Sequence, residues 1–560
     1  MRLLDGSTLE GGGQLVRIAV ALSALTGEPV TINRIRGNRR DSKGLKASHC
    51  AAIKFLLEVC GGTAKGNQVG RHEVIFYPRS EQEDADPEVR GTITSLQQLS
   101  LSSMHDSPRV TIKPEYDIRL SSPGSVFLIF QALYPYLLFA GACTPTAEAG
   151  NALDTGASLK EIRLNITGGT NVSFSPSYDY ISQVLSPNFT KLGLPPLSVK
   201  LKKRGWASGQ WAELGAVSFT ISPLSANGTA ELDTISSPSH DSGRAQAETP
   251  LIIFPSIGLE AFDKGVITQV DVTILAPDTL AQNLLTELSP KVARRRNKDR
   301  KLRDKTASYH RAYKHQSPYS GQEEEDEEKN DCHETGDQGY MDDACKMKQG
   351  PPQTARDFLK HQTIKTLLKE LTRRAGEQSV PVTQGIGAKE NEMQPHIDDV
   401  VVNLHTSEAT SHYSQTYILL VAHTSTGFRL GRDALYSSFH GQSTGDKPKH
   451  GKSRKVPKSS EWTSNILERM KGMVDQCVTD LMDEFEGNPG DQGKCGRIIL
   501  PKRAVDVYMR DQIVVFEALG RLAHPRPCLS TNKGGERDEG EGLSLHTQTA
   551  RWVCEQMLGC

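Results

Sequence analysis

The first stretch of the chain predicts a strand, a turn and a helix. Leu3 and Leu4 form a short apolar pair, and the segment after Gly11–Gly13 places apolar residues every three or four positions, which is the period of an amphipathic helix. Residues 29–35 predict a second strand, and residues 44–60 predict a second helix. This order of elements favours an α/β unit.

A similar order of elements returns further along the chain. Residues 61–78 predict a turn and a pair of strands, and residues 79–116 a variable loop with one or two edge strands. Residues 126–142 are apolar on nearly every side, which predicts a buried helix. A turn at 168–171 and a helix after residue 180 complete the second unit. We therefore predict an α/β fold built from repeated βαβ-type units.

The middle of the chain alternates apolar segments with charged tracts. The apolar segments predict strands at 265–275, 398–406 and 416–426, and helices at 278–288 and 461–485. The charged tracts, such as EEEDEE at 323–328, carry too little apolar surface to form a core. We expect disordered segments near 290–395 and 436–460.

The composition narrows the class of protein. The formal net charge is −1, so any affinity for nucleic acid must come from local clusters. The ten cysteines include no CxxC pair, which favours reduced thiols and a cytosolic or nuclear location. The chain shows no leader peptide and no apolar run of about eighteen residues, so we expect a soluble protein without a membrane partner.

Three local patterns were considered as functional motifs. One is left open, and the other two are rejected. RRRNKDRK at 294–301 is typical of a nuclear-import or RNA-contacting patch, but also of an ordinary solvated charge run. Cys332 and His333 with Cys345 lack a fourth ligand at zinc spacing, so no metal site is predicted there. GNPGDQGKC at 487–495 has the wrong glycine spacing for a P-loop.

The glycine-rich turn at 11–13 is the first candidate site. A turn of this kind before a helix exposes free backbone N–H groups at the positive end of the helix dipole, which favours an anion. Glu10 adds a carboxylate suited to a metal ion, and Gln14 and Arg17 add groups suited to phosphate. The alternative is that the glycines only permit positive φ angles.

Three further features carry candidate chemistry. Arg36, Arg39 and Arg40 follow a predicted strand, where they form either a phosphate clamp or a solvated basic turn. Gln131 lies in the predicted buried helix, so its amide either ties down backbone or faces a ligand. His546 stands between hydroxyl and amide side chains and is our candidate nucleophile; the alternative is a helix cap or a surface group.

Taken together, these segments resemble the RNA 3′-terminal phosphate cyclase family. Within that family they resemble the cyclases themselves and not the cyclase-like ribosome-assembly paralogue. The matching motifs occur in the same order as in the family. They are DGSTLEGGGQLVR (5–17), IRGNR (35–39), GLKASH (44–49), PGSVFLIFQ (123–131), GGTN with P-x-x-DY (168–180), TSTGFRLG (424–431), VYMRDQIVVFEALG (507–520) and SLHTQTA (544–550).

The resemblance implies an ATP-dependent ligase that converts an RNA 3′-phosphate to a 2′,3′-cyclic phosphate. His546 corresponds to the residue that attacks ATP and carries AMP, and Asp511 to its orienting partner. Arg17 and Arg39 correspond to basic catalytic groups, and Glu10 to the residue at a divalent metal, Mg²⁺ or Mn²⁺. The implied nucleotide-binding residues are Gln14, Arg36, Gln131, Pro176, Tyr180, Tyr508, Asp511 and Gln512, with Tyr180 or Tyr508 stacking on adenine.

The resemblance also implies a division into domains and an RNA partner. Residues 1–222 and 488–560 correspond to the two parts of the cyclase core, and 223–487 to a smaller inserted α/β domain that carries the disordered segments. RNA with a 3′-phosphate end is the implied partner. We expect the protein in the nucleus, with the cytoplasm as the other compartment.

Four departures from the family pattern leave two alternatives open. Ser48 replaces a usual glutamine, SGQWAELGAV at 208–217 interrupts a glycine turn, and GGERDEGEG at 534–542 adds acidic charge before His546. The sequence also ends at Cys560, before the closing strands that the resemblance leads us to expect. One alternative is the non-catalytic, cyclase-like ribosome-biogenesis factor of pre-rRNA processing, located in the nucleolus with ribosome-assembly partners. Another is a cyclase fold that only binds RNA.

Overall fold

The computed structural model describes most of the segments in which the sequence predicts regular elements. The described residues are 1–39, 43–78, 112–144, 159–207, 211–225, 252–279, 354–378, 400–436, 459–486, 504–523 and 543–559. They form a mixed α/β structure with three four-stranded sheets, which confirms the predicted fold class.

The first unit contains four strands and two helices. The elements are β1 (Arg2–Asp5), α1 (Gly13–Thr26), β2 (Val30–Asn33), α2 (Ala47–Cys60), β3 (Thr63–Lys65) and β4 (Val74–Tyr77). Their sheet has the order β1-β2-β4-β3, with β1 and β2 parallel and β4 antiparallel to both of its neighbours. The parallel pair requires a crossover connection, which α1 provides.

The second unit repeats this topology. Its elements are β5 (Glu115–Arg119), α3 (Val126–Ala142), β6 (Ile162–Gly168), α4 (Tyr178–Tyr180), a π-helical turn (Ile181–Leu185), α5 (Ser186–Lys191), β7 (Leu197–Lys203) and β8 (Gly215–Ile221). The sheet order is β5-β6-β8-β7, again with the first two strands parallel. The prediction of repeated βαβ-type units is confirmed.

The third sheet belongs to the middle of the chain and has a different order. Its elements are β9 (Ile267–Ala276), α6 (Ala355–Gln378), β10 (Val401–Ala409), β11 (Tyr417–Thr424), β12 (Arg429–Leu435) and α7 (Ser459–Glu486), with short 3-10 turns at Leu259–Ala261 and Tyr413–Gln415. The order is β10-β9-β11-β12. This agrees with a separate α/β unit, while the boundaries at 222 and 487 stay predictions.

Helix α6 corrects one expectation. It occupies part of the stretch near 290–395 for which we predicted disorder. Ala355, Leu359, Thr363 and Leu367 follow one another at intervals of four, and all are fully buried. This spacing places them on one face of the helix. Most of the other predicted insertions, and the helix expected after residue 279, lie outside the described residues.

The third sheet separates two hydrophobic cores. One face of β11 contributes Tyr417, Leu419 and Val421 to the larger core around α1 and α3. The other face contributes Ile418 and its neighbours to a smaller core against α6 and α7. Alternation follows from the period of two along a strand. Residues 252–259 also pack into the larger core, and so do the last helices, α8 (Val507–Ala523) and α9 (Leu545–Leu558).

Helices α8 and α9 bring the late part of the chain onto its beginning. Helix α9 packs on α1 and also touches β1, and α8 packs on α9 and contacts α3. Ser544 caps α9 by accepting a hydrogen bond from the Thr547 N–H (3.0 Å). His546 therefore lies in the first turn of a helix whose position is fixed by its packing on α1.

Candidate active site

The amino end of α1 forms the floor of the candidate site. Gly11 has φ +59°, and a Cβ added at Gly12 or Gly13 would collide with Glu10 or with His49, respectively. The glycines are therefore needed both for the backbone turn and for close approach of these side chains. The Glu10 N–H donates to Thr549 Oγ1 in α9 (3.2 Å), which fixes α9 to this turn.

Gln14 connects His546 to Asp511. The side chain is buried in the first turn of α1. Its Nε2 donates to Asp511 Oδ2 (3.1 Å), and its Oε1 lies 3.3 Å from His546 Nδ1. The sequence analysis had His546 oriented by Asp511 itself and Gln14 binding the nucleotide. In the structure Gln14 lies between the two, because its side chain, in the first turn of α1, contacts residues near the starts of both α8 and α9.

This arrangement selects one tautomer of His546. A carboxylate only accepts hydrogen bonds, so Asp511 turns the Gln14 amide group toward itself and the Gln14 carbonyl toward the imidazole. The carbonyl in turn requires the proton on His546 Nδ1. The lone pair of the neutral ring is then on Nε2, which is the nitrogen left for chemistry.

Asp511 ionises less readily than an ordinary aspartate. Burial raises its pKa to about 6, although the Gln512 amide and the charges of His546 and Arg17 favour the ionised form. Gln512 Nε2 donates to Asp511 Oδ1 (3.1 Å), so each carboxylate oxygen has one amide partner. The orientation of Gln14 therefore depends on a carboxylate that changes charge in a mildly acidic range.

A cluster of cations lies beside this relay. Arg39 forms an ion pair with Glu10, and Arg17 donates from Nε to Gln131 Oε1 (2.8 Å). Burial lowers the pKa of Arg17 to about 10 against the attraction of Asp511 and Glu10, and burial together with Arg39 lowers the pKa of Arg36. These groups destabilise one another in the absence of an anion, which makes the cluster suited to phosphate.

Lys46 and His49 extend the cluster from the first turn of α2. Burial, Arg36 and Arg39 lower the pKa of Lys46. Burial and the nearby cations lower the pKa of His49 to about 3, so the ring is neutral. The Lys46 N–H donates to His49 Nδ1 (3.1 Å), which leaves the proton on Nε2, facing Gly13. Lys46 was not among the predicted site residues; its position in KASH, before a histidine, was the available signal.

Three of the predicted nucleotide-binding residues line one cavity. Gln131, Pro176 and Gln512 border it together with apolar side chains of α1, α3 and α8, and its volume is about 30 Å³. Such a space is enough for a water molecule. A purine base would have to occupy the mouth of this cavity. The Oε1 atom of Gln131 accepts a hydrogen bond from the Arg17 guanidinium and not from backbone, and contact of Gln131 with a ligand stays a prediction.

The two candidate stacking tyrosines differ. Tyr180 is almost completely buried, and its hydroxyl donates to Asp506 Oδ1 (2.7 Å). Its ring has no face open for adenine, so the stacking role expected for it does not fit this structure. Tyr508 is 40% exposed, with the Arg432 guanidinium 4.8 Å from its ring centroid. Of the two rings, Tyr508 is the one that a base can reach.

Asp506 is a residue that the sequence analysis missed. It precedes α8 and accepts from Tyr180, from the Met509 N–H (2.9 Å) and from the Gly431 N–H (2.8 Å). An aspartate directly before an apolar-periodic segment is a helix-capping signal that could have identified it. Its role is to hold Tyr508 and the start of α8 against the third sheet.

The altered segment after Arg204 is closely packed at both ends. Arg204 binds Asp179 in a bidentate ion pair (2.8 and 2.9 Å) and Glu408 of β10 (2.6 Å). A Cβ at Gly205 would lie 2.3 Å from the Gly215 nitrogen. Arg204 thus joins the second unit to the third sheet. Several segments singled out from the sequence lie outside the described residues. They are residues 208–210, the acidic insertion at 534–542, Arg40, the basic run at 294–301, and Cys332, His333 and Cys345.

Glu10 also fits the expected metal site. Its Oε2 is buried without a hydrogen-bond partner and lies 3.9 Å from His546 Nδ1. Among the described residues there is no group of three or more metal-binding side chains. Mg²⁺ commonly binds one or two carboxylates together with substrate phosphates and water, so a single free carboxylate oxygen beside a phosphate-binding cluster suits such an ion.

No helix within the described ranges has both the length and the apolar composition needed to cross a membrane.

The chain matches a family and a set of curated relatives. A family model described as RNA 3′-terminal phosphate cyclase matches residues 8–560. The chain is similar to the RNA 3′-terminal phosphate cyclase of Thermococcus sibiricus, with 33% identity over 205 residues that make up 37% of this chain and 44% of that protein.

Two further relatives carry the same name. The protein of Pyrococcus furiosus is 34% identical over 205 residues, which are 37% of this chain and 45% of the relative. The protein of Methanosarcina acetivorans is 32% identical over 214 residues, which are 38% of this chain and 46% of the relative. The chain spans a little under half the length of each of these relatives.

Proposed function

Because this chain belongs to the RNA 3′-terminal phosphate cyclase family, we propose that it converts RNA 3′-phosphate ends to 2′,3′-cyclic phosphates with consumption of ATP. The observation that supports this most directly is the Asp511–Gln14–His546 relay. It leaves an imidazole nitrogen free beside a cluster of cations that suits a triphosphate.

In the first step, His546 Nε2 attacks the α-phosphorus of ATP. A P–N bond forms, the bond between the α-phosphorus and its bridging oxygen breaks, and pyrophosphate leaves. Gln14 holds the Nδ1 proton and stabilises the positive charge that develops on the ring, in the way that a carboxylate does in a catalytic triad. Arg17, Arg36 and Arg39 bind the phosphate oxygens and stabilise the charge of the leaving group.

In the following steps, an oxygen of the RNA 3′-phosphate attacks the same phosphorus and displaces His546. The 2′-hydroxyl of the terminal ribose then attacks the RNA phosphorus, and AMP leaves as the cyclic ester forms. The overall products are RNA with a 2′,3′-cyclic phosphate end, AMP and pyrophosphate. The activity is therefore that of a ligase that forms a phosphoric ester. Covalent catalysis divides a difficult displacement into easier ones.

Glu10 with phosphate oxygens of ATP would hold a divalent cation, Mg²⁺ or Mn²⁺, which supplies positive charge to the reacting phosphates when bound. Tyr508, Pro176 and Gln512 would place the adenine at the mouth of the cavity described above. We propose a nuclear location from the basic run at 294–301 alone.

The non-catalytic ribosome-biogenesis alternative has less support. The curated relatives are named as cyclases. A scaffold protein would need neither a histidine held in one tautomer nor a carboxylate oxygen left without a partner beside it.

The test is covalent labelling with ATP radiolabelled at the α-phosphate, in the presence of Mg²⁺ or Mn²⁺. The wild-type protein should acquire an AMP adduct that survives base and is lost in acid, and His546→Ala should not. His423→Ala is the matched control, since His423 pairs with Asp271 in the third sheet and should label normally. Equal labelling of His546→Ala, or no labelling of the wild type, would refute the mechanism.

A further inference from the structure

Phe174 has an unusual conformation and an unusual exposure. It is 96% exposed, and its φ is +58°. A bulky side chain at positive φ is a genuine outlier, because its Cβ crowds the backbone. Burial does not offset this strain, since almost none of the ring is buried. Strain of this kind is found most often at functional sites, where the loop must present a side chain in one direction.

The loop that carries Phe174 is held firmly on both sides. The Tyr178 N–H donates to the Thr170 carbonyl (3.1 Å), which closes the loop. Ser175 Oγ hydrogen-bonds Ser125 Oγ, the residue that caps α3. Phe174 is therefore a side chain directed into solvent from a fixed backbone, and a rigidly presented ring loses little entropy when a ligand stacks on it.

The loop forms one rim of the candidate active site. Pro176, two residues after Phe174, lines the cavity that Gln131 and Gln512 also border. On its other side, the loop packs on Pro123 and Gly124, as a Cβ at Gly169 would lie 2.6 Å from the Pro123 carbonyl oxygen. Phe174 is thus close in the chain and in space to residues for which we propose contact with the nucleotide.

The cation cluster lies on the adjoining rim. A Cβ built on Gly124 would be 4.0 Å from Ser48 Cβ, and Ser48 stands in the same helical turn as Lys46 and His49. A series of contacts thus runs from Lys46, which lies near Arg36, through Ser48, Gly124 and Ser125 to Ser175 and Phe174. Ser48 and Ser125 are themselves buried, so this path has cations at one end, small residues in the middle and an exposed ring at the other end.

This order matches the chemistry of an RNA 3′ end. Proteins bind single-stranded nucleic acid by pairing cations with phosphates and by stacking aromatic side chains on bases. We propose that Phe174 is the platform on which the nucleobase next to the RNA 3′-phosphate stacks while Lys46 and Arg36 bind the phosphate. Phe174 is then a positioning residue for the RNA substrate, and this inference rests on the proposed cyclase function.

The experiment compares Phe174→Gly, Phe174→Trp and the control Val69→Ser in the full chain. Val69 is another exposed apolar residue, 67% exposed in the turn between β3 and β4. The substrate is a short 3′-phosphorylated RNA with 2-aminopurine as its last base. Five quantities are measured: the rate of AMP labelling without RNA, KM and kcat for cyclisation, the fluorescence change on RNA binding, and Tm.

Phe174→Gly should raise the KM for RNA by about tenfold or more, abolish the quenching of 2-aminopurine, and leave AMP labelling within about twofold of wild type. Its Tm should be unchanged or higher, because glycine adopts this φ without strain. Phe174→Trp should retain KM and quenching, and Val69→Ser should behave as wild type.

Two results would overturn the inference. One is an unchanged KM and unchanged quenching in Phe174→Gly. The other is a fall in Tm with a matching loss of AMP labelling, which would make Phe174 a structural residue. A wild-type protein that does not acquire AMP would refute the cyclase function instead. The fluorescence change on RNA binding, compared between wild type and Phe174→Gly, would still decide whether the ring binds a base.

Discussion

Gln14 is the residue that orients the His546 imidazole in the candidate site. A glutamine amide is neutral and keeps its proton count at every physiological pH, so it transmits orientation and not charge. Its two ends differ, and Asp511 decides which end faces His546. The direction of the imidazole proton is therefore set two hydrogen bonds away from the nitrogen that we propose as nucleophile.

Asp511→Asn tests this dependence on pH. In the wild type, the pKa of Asp511 near 6 should make AMP labelling rise as pH increases through about 6, because only the carboxylate fixes Gln14. In Asp511→Asn, labelling should fall by roughly 10²-fold at pH 7.5, a loss typical of groups that control a catalytic proton, and this pH step should disappear. A variant that labels like the wild type at all pH values would contradict the relay.

Asp511→Asn should change stability in the opposite direction from activity. The folded-state pKa of Asp511 is higher than its ordinary value of 3.8, so the carboxylate destabilises the fold as pH rises from about 4 to about 6 and above. Asp511→Asn should thus have an equal Tm at pH 4 and a higher Tm at pH 7.5, measured by calorimetry. Lower activity with higher stability would separate a functional role from a structural one.

At this scale, the sequence predicts the types of side chain but not their partners. The GGGQ segment indicates a turn that suits an anion, and Gln14 was assigned to the nucleotide on that basis. Its partners, Asp511 and His546, are about 500 residues away in the chain. No local pattern records such a contact, because it depends on how α8 and α9 pack against α1.

At the scale of elements, the junction of β12 with α4, the π-helical turn and α5 explains the TSTGFRLG segment. Asn188 binds the Arg429 backbone through both its donor and its acceptor (2.7 and 3.0 Å). The Gly431 N–H donates to Asp506, and the absence of a side chain at Gly431 lets the Tyr180 ring approach. The π-helical turn at Ile181–Leu185 directs Gln183 to Thr273 in β9 (3.1 Å). The third sheet is therefore attached to the core through specific polar contacts.

Gly431→Ala measures how tight this junction is. The new Cβ would lie 2.8 Å from Tyr180 Cε2 and 2.9 Å from Val184 Cγ2, and overpacking of this kind costs about 1–3 kcal/mol. We expect a lower Tm, and we expect the double variant with Tyr180→Leu to lose less stability than the sum of the two single variants. Additive losses would mean that the ring and the glycine are not in contact in solution.

Part of the elements was predictable from the sequence, and helix α6 is the most instructive of those that were missed. In the first unit and at α3, the elements have strong apolar periods, and their bounds differ from the predicted ones by a few residues. No bounds were predicted for the strands β6, β7 and β8 of the second unit. Helix α6 was missed because its composition is strongly polar, with charged residues on the outward side, and because charged tracts precede it. Its buried face consists of small and medium-sized residues, with Ala355 and Thr363 beside Leu359 and Leu367.

At the scale of the whole molecule, β11 lies between two cores. Leu419 and Leu420 are adjacent in sequence and both fully buried, but they belong to the larger and the smaller core, respectively. Neither core can lose its order without exposing one face of the same strand. The parts that we predicted as separate domains thus share the strand β11. Its sequence alone did not indicate this, because alternating side chains reveal a shared strand only when both faces of the strand are known to be covered.

Leu419→Ala and Leu420→Ala should therefore have the same kind of effect. Each creates a cavity in a different core and should cost about 2–5 kcal/mol. Calorimetry should show one unfolding transition that both substitutions shift to lower temperature. Two separate transitions, of which each substitution moves only one, would show that the cores unfold independently.

The pairing of Gln14 with His546 has a consequence for biosynthesis. The cations and the glycine turn emerge first from the ribosome, whereas the imidazole is translated more than 500 residues later. Under the proposed function, every chain terminated before residue 546 would lack the group that accepts AMP, so such a fragment could bind ligand but could not act as a ligase. The order of synthesis would itself prevent unfinished molecules from hydrolysing or trapping ATP covalently.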